Sequence, residues 1–344
     1  MSNHTALDGL NKAHCIDNRE GMARLPEKCA NLIISDPPYY RVKGAFDFVF
    51  RDFAHYLEFM EEQAVAYKRI LADNGTLFVW GMDRKIAYVQ TVFDKYFELL
   101  GTLVWEKPSI ANEWDTRRTF PERGQERLLM YSNEIGRTGL EEIKLDINNF
   151  QPLRQYFKDL QAWMGAPKSL IIQQVGQKAD HTFRHSSTQW DLPTPETYAQ
   201  LIEYFGIDAW EGFRQYETLR QEYETLRQEY ETLRRPFNNH LKLTDVLRFS
   251  QESHVTKLYK HPTKKPEKLT TALIETCSRP GDLVVVPFAG SGTECAMAAK
   301  TGRNFIAFDT EAEYVDMTNQ RARTHLQAPR LSYAPALSFT PAHP

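Results

Sequence analysis

Cysteine is scarce in this 344-residue sequence: four residues (Cys15, Cys29, Cys277 and Cys295), with no Cys-x-x-Cys pair and no Cys/His cluster at zinc spacing. That argues against a disulfide framework or a structural zinc site, and the expectation is buried, reduced thiols in a protein that uses no metal. Long apolar runs are missing too. No stretch approaches the roughly 20 apolar residues of a membrane-spanning helix, and no basic-then-apolar leader opens the chain, so a cytoplasmic protein without a membrane partner is expected. Positive charge is not in excess. The formal net charge is −3, whereas dedicated nucleic-acid binders carry a basic surplus. Any grip on a polyanion must therefore be local, and the one strongly basic run is HVTKLYKHPTKKPEK, residues 254–268. The chain also lacks the Gly-Lys-Ser/Thr loop that cradles nucleoside triphosphates, and its Gly290-x-Gly292 has Cys295 where the third glycine of the dinucleotide fingerprint belongs.

What is present centres on Ser35-Asp36-Pro37-Pro38-Tyr39, directly after the apolar run Asn31-Leu32-Ile33-Ile34. The run reads as a buried strand, which puts Asp36 at its carboxyl end. In open α/β sheets ligands bind at that edge. Two prolines fix φ and lack N–H donors, so the turn is rigid and its carbonyls stay free as acceptors. Such a turn can grip an amino group from two sides. A second buried strand, 283–286, leads into Pro287-Phe288-Ala289-Gly290-Ser291-Gly292-Thr293, where glycine lets the backbone turn tightly and approach a ligand. The helix that follows offers its first N–H groups to an anion. A further strand, 304–308, ends at Asp309, an acid able to accept both hydroxyls of a ribose.

Asp36-Pro37-Pro38-Tyr39 resembles motif IV of the DNA amino-methyltransferases, which methylate N6 of adenine or N4 of cytosine with S-adenosyl-L-methionine; Val286 to Thr293 resembles their cofactor loop, motif I. With the catalytic motif first and the cofactor motif last, the order resembles the circularly permuted β class. The resemblance implies an α/β fold with a Rossmann-like, S-adenosylmethionine-dependent methyltransferase sheet, permuted, carrying a mainly helical inserted target-recognition domain. It implies catalytic Asp36, Pro37, Pro38 and Tyr39. His261-Pro262-Thr263-Lys264-Lys265-Pro266 resembles motif X, with Lys264 in place of the usual Gln. The implied cofactor-binding set is Asp17, Thr263, Lys265, Phe288, Gly290, Ser291, Gly292, Thr293 and Asp309. One departure is Val286, where the family usually has Asp, which removes a possible polar contact near the methionine end of the cofactor. The implied reaction is site-specific methylation of N6 of a flipped-out adenine in double-stranded DNA, since Asp heads this tetrapeptide in adenine enzymes and Ser in cytosine enzymes. An N4-cytosine enzyme, or a DNA-binding regulator without catalysis, is the alternative. A bacterial or phage cytoplasm is the implied setting.

Four segments follow: 1–133, the catalytic half; 134–251, the insert; 252–327, the cofactor half; and 328–344, a flexible proline-rich tail. Asp17 lies 19 positions before Asp36 and matches the spacing of the β-class acid that contacts the cofactor's adenine, although an acid after a strand also serves as a helix N-cap. Residues 40–52 form either a lid or a surface loop packed by its own aromatics. Glu126 reads as a sheet-end salt bridge. Within the insert, 167–175, Gly176 and 180–187 read as helix, turn, helix. The second segment brings Arg184, His185, Ser186, Ser187 and Gln189 as DNA-binding candidates, or is simply a solvated polar helix. Three near-copies of Tyr-Glu-Thr-Leu-Arg-Gln-Glu from Tyr216 make one apolar stripe, for packing on the same chain or for a possible homodimer.

Overall fold

The computed structural model describes residues 9–42, 45–107, 124–133, 150–250 and 264–326. Thr263, the rest of the basic run up to it and the 328–344 tail lie outside the described residues. The chain divides into two compact units, one of Met1–Ile135 with Pro236–Pro344 and one of Gly136–Arg235. The strands are β1 (Lys12–Cys15), β2 (Ala30–Ser35), β3 (Leu71–Gly81), β4 (Glu98–Glu106), β5 (Gln125–Ser132), β6 (Val246–Arg248), β7 (Leu283–Val286) and β8 (Asn304–Asp309). The helices are α1 (Asn18–Ala23), α2 (Phe53–Ile70), α3 (Asp83–Phe93), α4 (Gln151–Met164), α5 (Lys168–Val175), α6 (Pro195–Phe205), α7 (Tyr216–Leu233), α8 (Glu267–Cys277), α9 (Thr293–Lys300) and α10 (Ala312–Leu326).

All eight strands join one mixed sheet in the order β1-β8-β7-β2-β3-β5-β4-β6. Its central strands carry uninterrupted apolar runs, Leu32–Ile34 and Leu283–Val286, because both faces are covered. Leu32, Ile34, Val284 and Val286 pack on one side with Leu273, Cys295 and Ala322 of α8, α9 and α10. Ile33, Val285, Leu77 and Val79 pack on the other with Met22, Met60 and Val89 of α1, α2 and α3. Parallel pairing of Leu32 with Val284 and Ile33 with Val285 makes β7 and β2 neighbours. From β7 the chain proceeds outward to β8, and from β2 it proceeds the other way to β3, so the boundary between β7 and β2 is the topological switch point.

Several expectations change. Asp73-Asn74-Gly75, turn-forming in composition, do not separate helix from strand: β3 already begins at Leu71, and the extra residues bulge, since Ala30 faces Leu71 while Leu32 faces Thr76. The insert does not extend to 251, because β6 pairs in parallel with β4 and the chain rejoins the sheet unit at Pro236. Cys277 and Cys295 are buried, but Cys15 is exposed. The loop after Tyr39 is ordered by its own contacts: Asp47 accepts from Tyr39 N at 2.5 Å, and Phe50 packs edge-on to Tyr56 at 5.0 Å. Among the described residues no helix is long and apolar enough to cross a membrane, and no cluster of His, Cys, Asp and Glu could hold a metal ion.

The second unit is helical. Leu153, Phe157, Leu160, Ile171, Phe183, Trp190, Tyr198 and Leu201 form its core. The second helix expected over 180–187 is absent. Its carbonyls are taken by side chains instead: Trp190 Nε1 donates to Thr182 O at 2.8 Å, and Arg154 Nη1 to the carbonyls of His185 and Ser187 at 3.0 and 2.8 Å. Such side-chain bonds compete with the helical ladder, and burial of Phe183 and Trp190 decides the contest. In α7 the stripe packs on its own unit in its first half. Leu219 is buried, Tyr216 Oη donates to Pro193 O at 3.0 Å, and Tyr223 stacks on Phe150 at 4.9 Å. Leu233, at its end, is 75% exposed.

Candidate active site

β2 ends at Ser35, and Asp36 is the first residue beyond the sheet edge. Its Oδ1 accepts from Tyr39 Oη at 2.6 Å. Its Oδ2 accepts from Lys265 Nζ at 2.6 Å, and Lys265, just ahead of α8, is only 3% exposed. The ammonium also lies 3.1 Å from Glu126 Oε2. The angle there falls outside hydrogen-bond geometry, so that attraction is coulombic rather than directional. Lys107, at the end of β4, donates to Glu126 Oε1 at 2.5 Å. Two carboxylates and two ammoniums thus alternate beneath the proline turn, closed on one side by the Trp80 ring, 4.9 Å from Lys265 Nζ.

The electrostatics follow from this arrangement. Burial pulls the Lys265 ammonium down, but Asp36 and Glu126 outweigh it and the group is held above its ordinary value. Burial raises the Glu126 carboxyl, and Lys265 and Lys107 together bring it below the usual range. Glu294, in the first turn of α9, has its pKa raised by burial and then by the charge of Asp36. The Tyr39 hydroxyl is pushed far up by burial and by the charges of Asp36 and Glu126, so it is a donor at any ordinary pH. With its ring buried and its hydroxyl on Asp36, Tyr39 does not present a face to solvent.

One strand over, the loop after β7 turns on Gly290 (φ 46) and Gly292 (φ 70). A Cβ on Gly292 would stand 2.7 Å from Thr318 Cα, so only glycine lets the loop lie against α10. Gly290 N donates to Asp309 Oδ2 at 2.9 Å, and Glu311 N to Asp309 Oδ1 at 3.0 Å; each oxygen keeps a lone pair for a ligand. Phe288 is half-buried and reaches the Phe59 ring, 6.2 Å away. Ser291 and Thr293 are buried, and their hydroxyls bond each other at 3.1 Å. Arg321 of α10 donates to Ser291 O and Thr293 Oγ1 at 3.0 and 2.9 Å and pairs with Glu267. These two side chains therefore brace the loop, leaving its backbone to meet a ligand. Arg321 and Glu267 were not foreseen, because no motif marks a buried arginine 30 residues downstream of the loop it supports. Asp17 does cap α1: its Oδ1 accepts from Arg19 N at 2.9 Å, and the Arg19 guanidinium lies across both oxygens. Lys265 places its ammonium on the catalytic turn, against Asp36 and Tyr39.

In the second unit an open groove of ≈ 720 Å³ is lined by Arg154, Lys158, Lys168, Arg184, His185 and Ser186, among others. Asp180 bonds Lys168 at 2.8 Å and pairs with Arg184. His185 Nε2 donates to Gln161 Oε1 at 2.9 Å, and burial, then Lys158 and Arg154, lower its pKa. Ser187 Oγ accepts from Gln189 N at 3.1 Å, and Gln189 is exposed outside the groove lining.

A glycine loop and an acceptor-only turn on adjacent parallel strands, at the switch point of a doubly covered sheet, define a Rossmann-like methyltransferase. A profile of the N6/N4 DNA methylase family matches residues 30–320, and the chain belongs to this S-adenosylmethionine-dependent family of DNA methyltransferases. It is 22% identical over 330 residues to the DNA adenine methyltransferase YhdJ of Escherichia coli K12, covering 94% of this chain and 87% of that one. In fold it is similar to the cytosine-N4-specific PvuII DNA methyltransferase (16% identity, TM-score 0.53, covering 90% of this chain and 85% of that one). It is also similar to TTHA0409 of Thermus thermophilus, provisionally described as a DNA modification methylase and solved with S-adenosyl-L-methionine (16%, TM-score 0.50, 92% and 96%).

Proposed function

We propose that the chain methylates N6 of an adenine turned out of double-stranded DNA, at a defined site. The observation that carries this reading is the carboxylate of Asp36, an acceptor held at the switch point one strand from the glycine loop. Asp rather than Ser at the head of the tetrapeptide favours adenine, as does the likeness to an enzyme named as an adenine methyltransferase.

S-adenosylmethionine, when bound, supplies an electrophilic sulfonium methyl group. Gly290, Gly292 and Phe288 would hold it, with Asp309 and Asp17 taking ribose and adenine and, outside the described residues, Thr263. For Asp17 to do so, Arg19 must share the carboxylate. Burial and the charge of Asp36 raise the pKa of Glu294, which disfavours a negative charge where the α9 N–H groups would face a carboxylate. The amino nitrogen of adenine is a poor nucleophile, because its lone pair is delocalised into the ring. Asp36 Oδ1 and the Pro37 carbonyl accept its two N–H bonds and favour a tetrahedral nitrogen whose lone pair points at the methyl. Prior deprotonation of so weak an acid is not needed. As the N–C bond forms and the S–C bond breaks, the amino proton passes to Asp36 and on to solvent. The amino group thereby replaces the Tyr39 hydroxyl on Oδ1, and the freed ring can turn to stack on the extruded base, which offsets about 1–3 kcal/mol of the unstacking cost.

The basic groove supports a DNA-holding role for Arg184, His185, Ser186 and Ser187, with Gln189 beside them. A neutral His185 would bond a base or sugar rather than pair with phosphate. Lys158→Ala should weaken DNA binding evenly across sequences and lower the slope of log K against log salt by about 0.9. A salt titration of DNA affinity checks this; an unchanged slope would remove the groove from the interface.

The reaction itself is tested by incubating unmethylated genomic DNA with the protein and S-adenosylmethionine, then analysing nucleosides by mass spectrometry. N6-methyladenine is expected. N4-methylcytosine would keep the mechanism and overturn the base, and no methylated base would overturn the proposal.

A further inference from the structure

The resemblance of residues 261–266 to motif X places Lys265 with the cofactor, yet its ammonium lies on the catalytic turn. We infer that Lys265 is a positioning residue for methyl transfer: with Glu126 as its counter-anchor, it pins Oδ2 of Asp36, so that Oδ1 alone meets the substrate amino group. The inference rests on the methyl-transfer reading above.

The geometry carries it. Lys265 Nζ is 2.6 Å from Asp36 Oδ2 and 3.4 Å from Tyr39 Oη, and Glu126 Oε2 holds it from another side at 3.1 Å. Glu126 cannot swing toward Asp36, because Lys107 holds its other oxygen at 2.5 Å. Among the described residues the charged or titratable groups around Asp36 are Tyr39 from the turn, Glu126 from β5, Lys107 from the end of β4, Lys265 ahead of α8 and Glu294 from α9. Arg321 of α10 acts on Glu294 from beyond. Of these, two are carboxyls, Glu126 and Glu294, and Lys265 is the cation in direct contact with Asp36. Without it, Asp36 and Glu126 would be like charges in a buried site, and one of the two would take up a proton. A protonated Asp36 would offer a donor where the amino group needs an acceptor. Lys265 does not serve as the base itself, because two neighbouring carboxylates hold it protonated.

The test is the pH profile of kcat, from pH 5 to 9, for full-length wild-type protein, Lys265→Met and the double variant Lys265→Met/Glu126→Gln, with cofactor affinity measured alongside. Lys265→Met should move the acidic limb up by about 1–3 pH units while cofactor Kd stays within about threefold, as expected when a like-charged carboxyl pair loses its cation. The double variant, which removes one anion with the cation, should return the limb toward the wild-type position. A limb left in place with cofactor binding lost would assign Lys265 to the cofactor and overturn the inference. So would a double variant whose limb stays with that of the single. Absence of methylation by the wild-type protein would instead sink the reaction on which the inference stands. Should the single variant not fold, the double variant still decides: a wild-type limb and a rate at least a hundredth of wild type support the inference, and a limb displaced upward overturns it.

Discussion

Asp36→Asn is expected to abolish methyl transfer almost as completely as Asp36→Ala, with kcat reduced roughly a thousandfold. An amide in place of a carboxylate would often leave one acceptor in use, but here its orientation is dictated from behind. Lys265 donates to the Oδ2 position, so the amide oxygen must face the ammonium and the NH2 must face the substrate. Two donors then meet where a donor and an acceptor are required. The lost charge-assisted bond is worth about 1.5–3 kcal/mol. Misalignment of the amino lone pair adds enough to bring the total to about 4 kcal/mol, or a factor near a thousand. Single-turnover methylation measured by nucleoside mass spectrometry, with cofactor affinity by calorimetry, checks this. Transfer within tenfold of wild type in the Asn variant would show that Asp36 does not orient the amino group.

The second large effect is expected at Gly292. Gly292→Ala should abolish measurable cofactor binding and lower the melting temperature, whereas Gly281→Ala should do only the second, and mildly. Both glycines have positive φ, +70° and +90°, so a side chain costs about 1–2 kcal/mol of backbone strain at either. They differ in surroundings. Around Gly281 a Cβ would meet nothing within 4 Å, while at Gly292 it would lie 2.6 Å from Thr318 Oγ1 and 2.7 Å from Thr318 Cα. A hydroxyl can rotate away, but the helix backbone cannot, so the loop must lift off α10 and lose the Arg321 bonds to Ser291 O and Thr293 Oγ1. Overpacking of this kind typically costs about 1–3 kcal/mol beyond the strain. Calorimetric titration with S-adenosylmethionine and thermal unfolding of both variants separate the terms. Equal effects at the two positions would show that strain alone, and not the approach to Thr318, matters.

Local chemistry made some features legible from the chain alone. Uninterrupted β-branched and apolar runs at 32–34 and 283–286 read as strands covered on both faces, and the residues that follow such strands in an α/β sheet stand at its ligand edge. Proline and glycine at fixed offsets announced a turn after β2 and a loop after β7, and Gly290 and Gly292 take positive φ in that loop. The heptad stripe of α7 was legible for the same reason, since helical spacing alone lines up Tyr216, Leu219 and Tyr223.

Tertiary structure decided the rest, because those outcomes were competitions between local preference and distant partners. Residues 180–187 carry no helix breaker, yet Arg154, Trp190 and their burial claim the carbonyls a helix would need. Asp17 stands at a strand end, and the start of α1 with Arg19 makes it a helix cap whose carboxylate a ligand would have to share. The three-residue β6 is too short to announce itself, and its pairing with β4 makes it a strand. Lys265 is the fullest case: nothing near position 265 in the chain indicates that its ammonium will meet a carboxylate 229 residues away. The sequence by itself determined the strands, the turn chemistry and the family of this DNA methyltransferase. Only the sheet order, which sets β7 beside β2 and brings α8 over the proline turn, decided which charge stands behind Asp36, because burial lets a lysine keep its proton only where carboxylates from other strands converge on it.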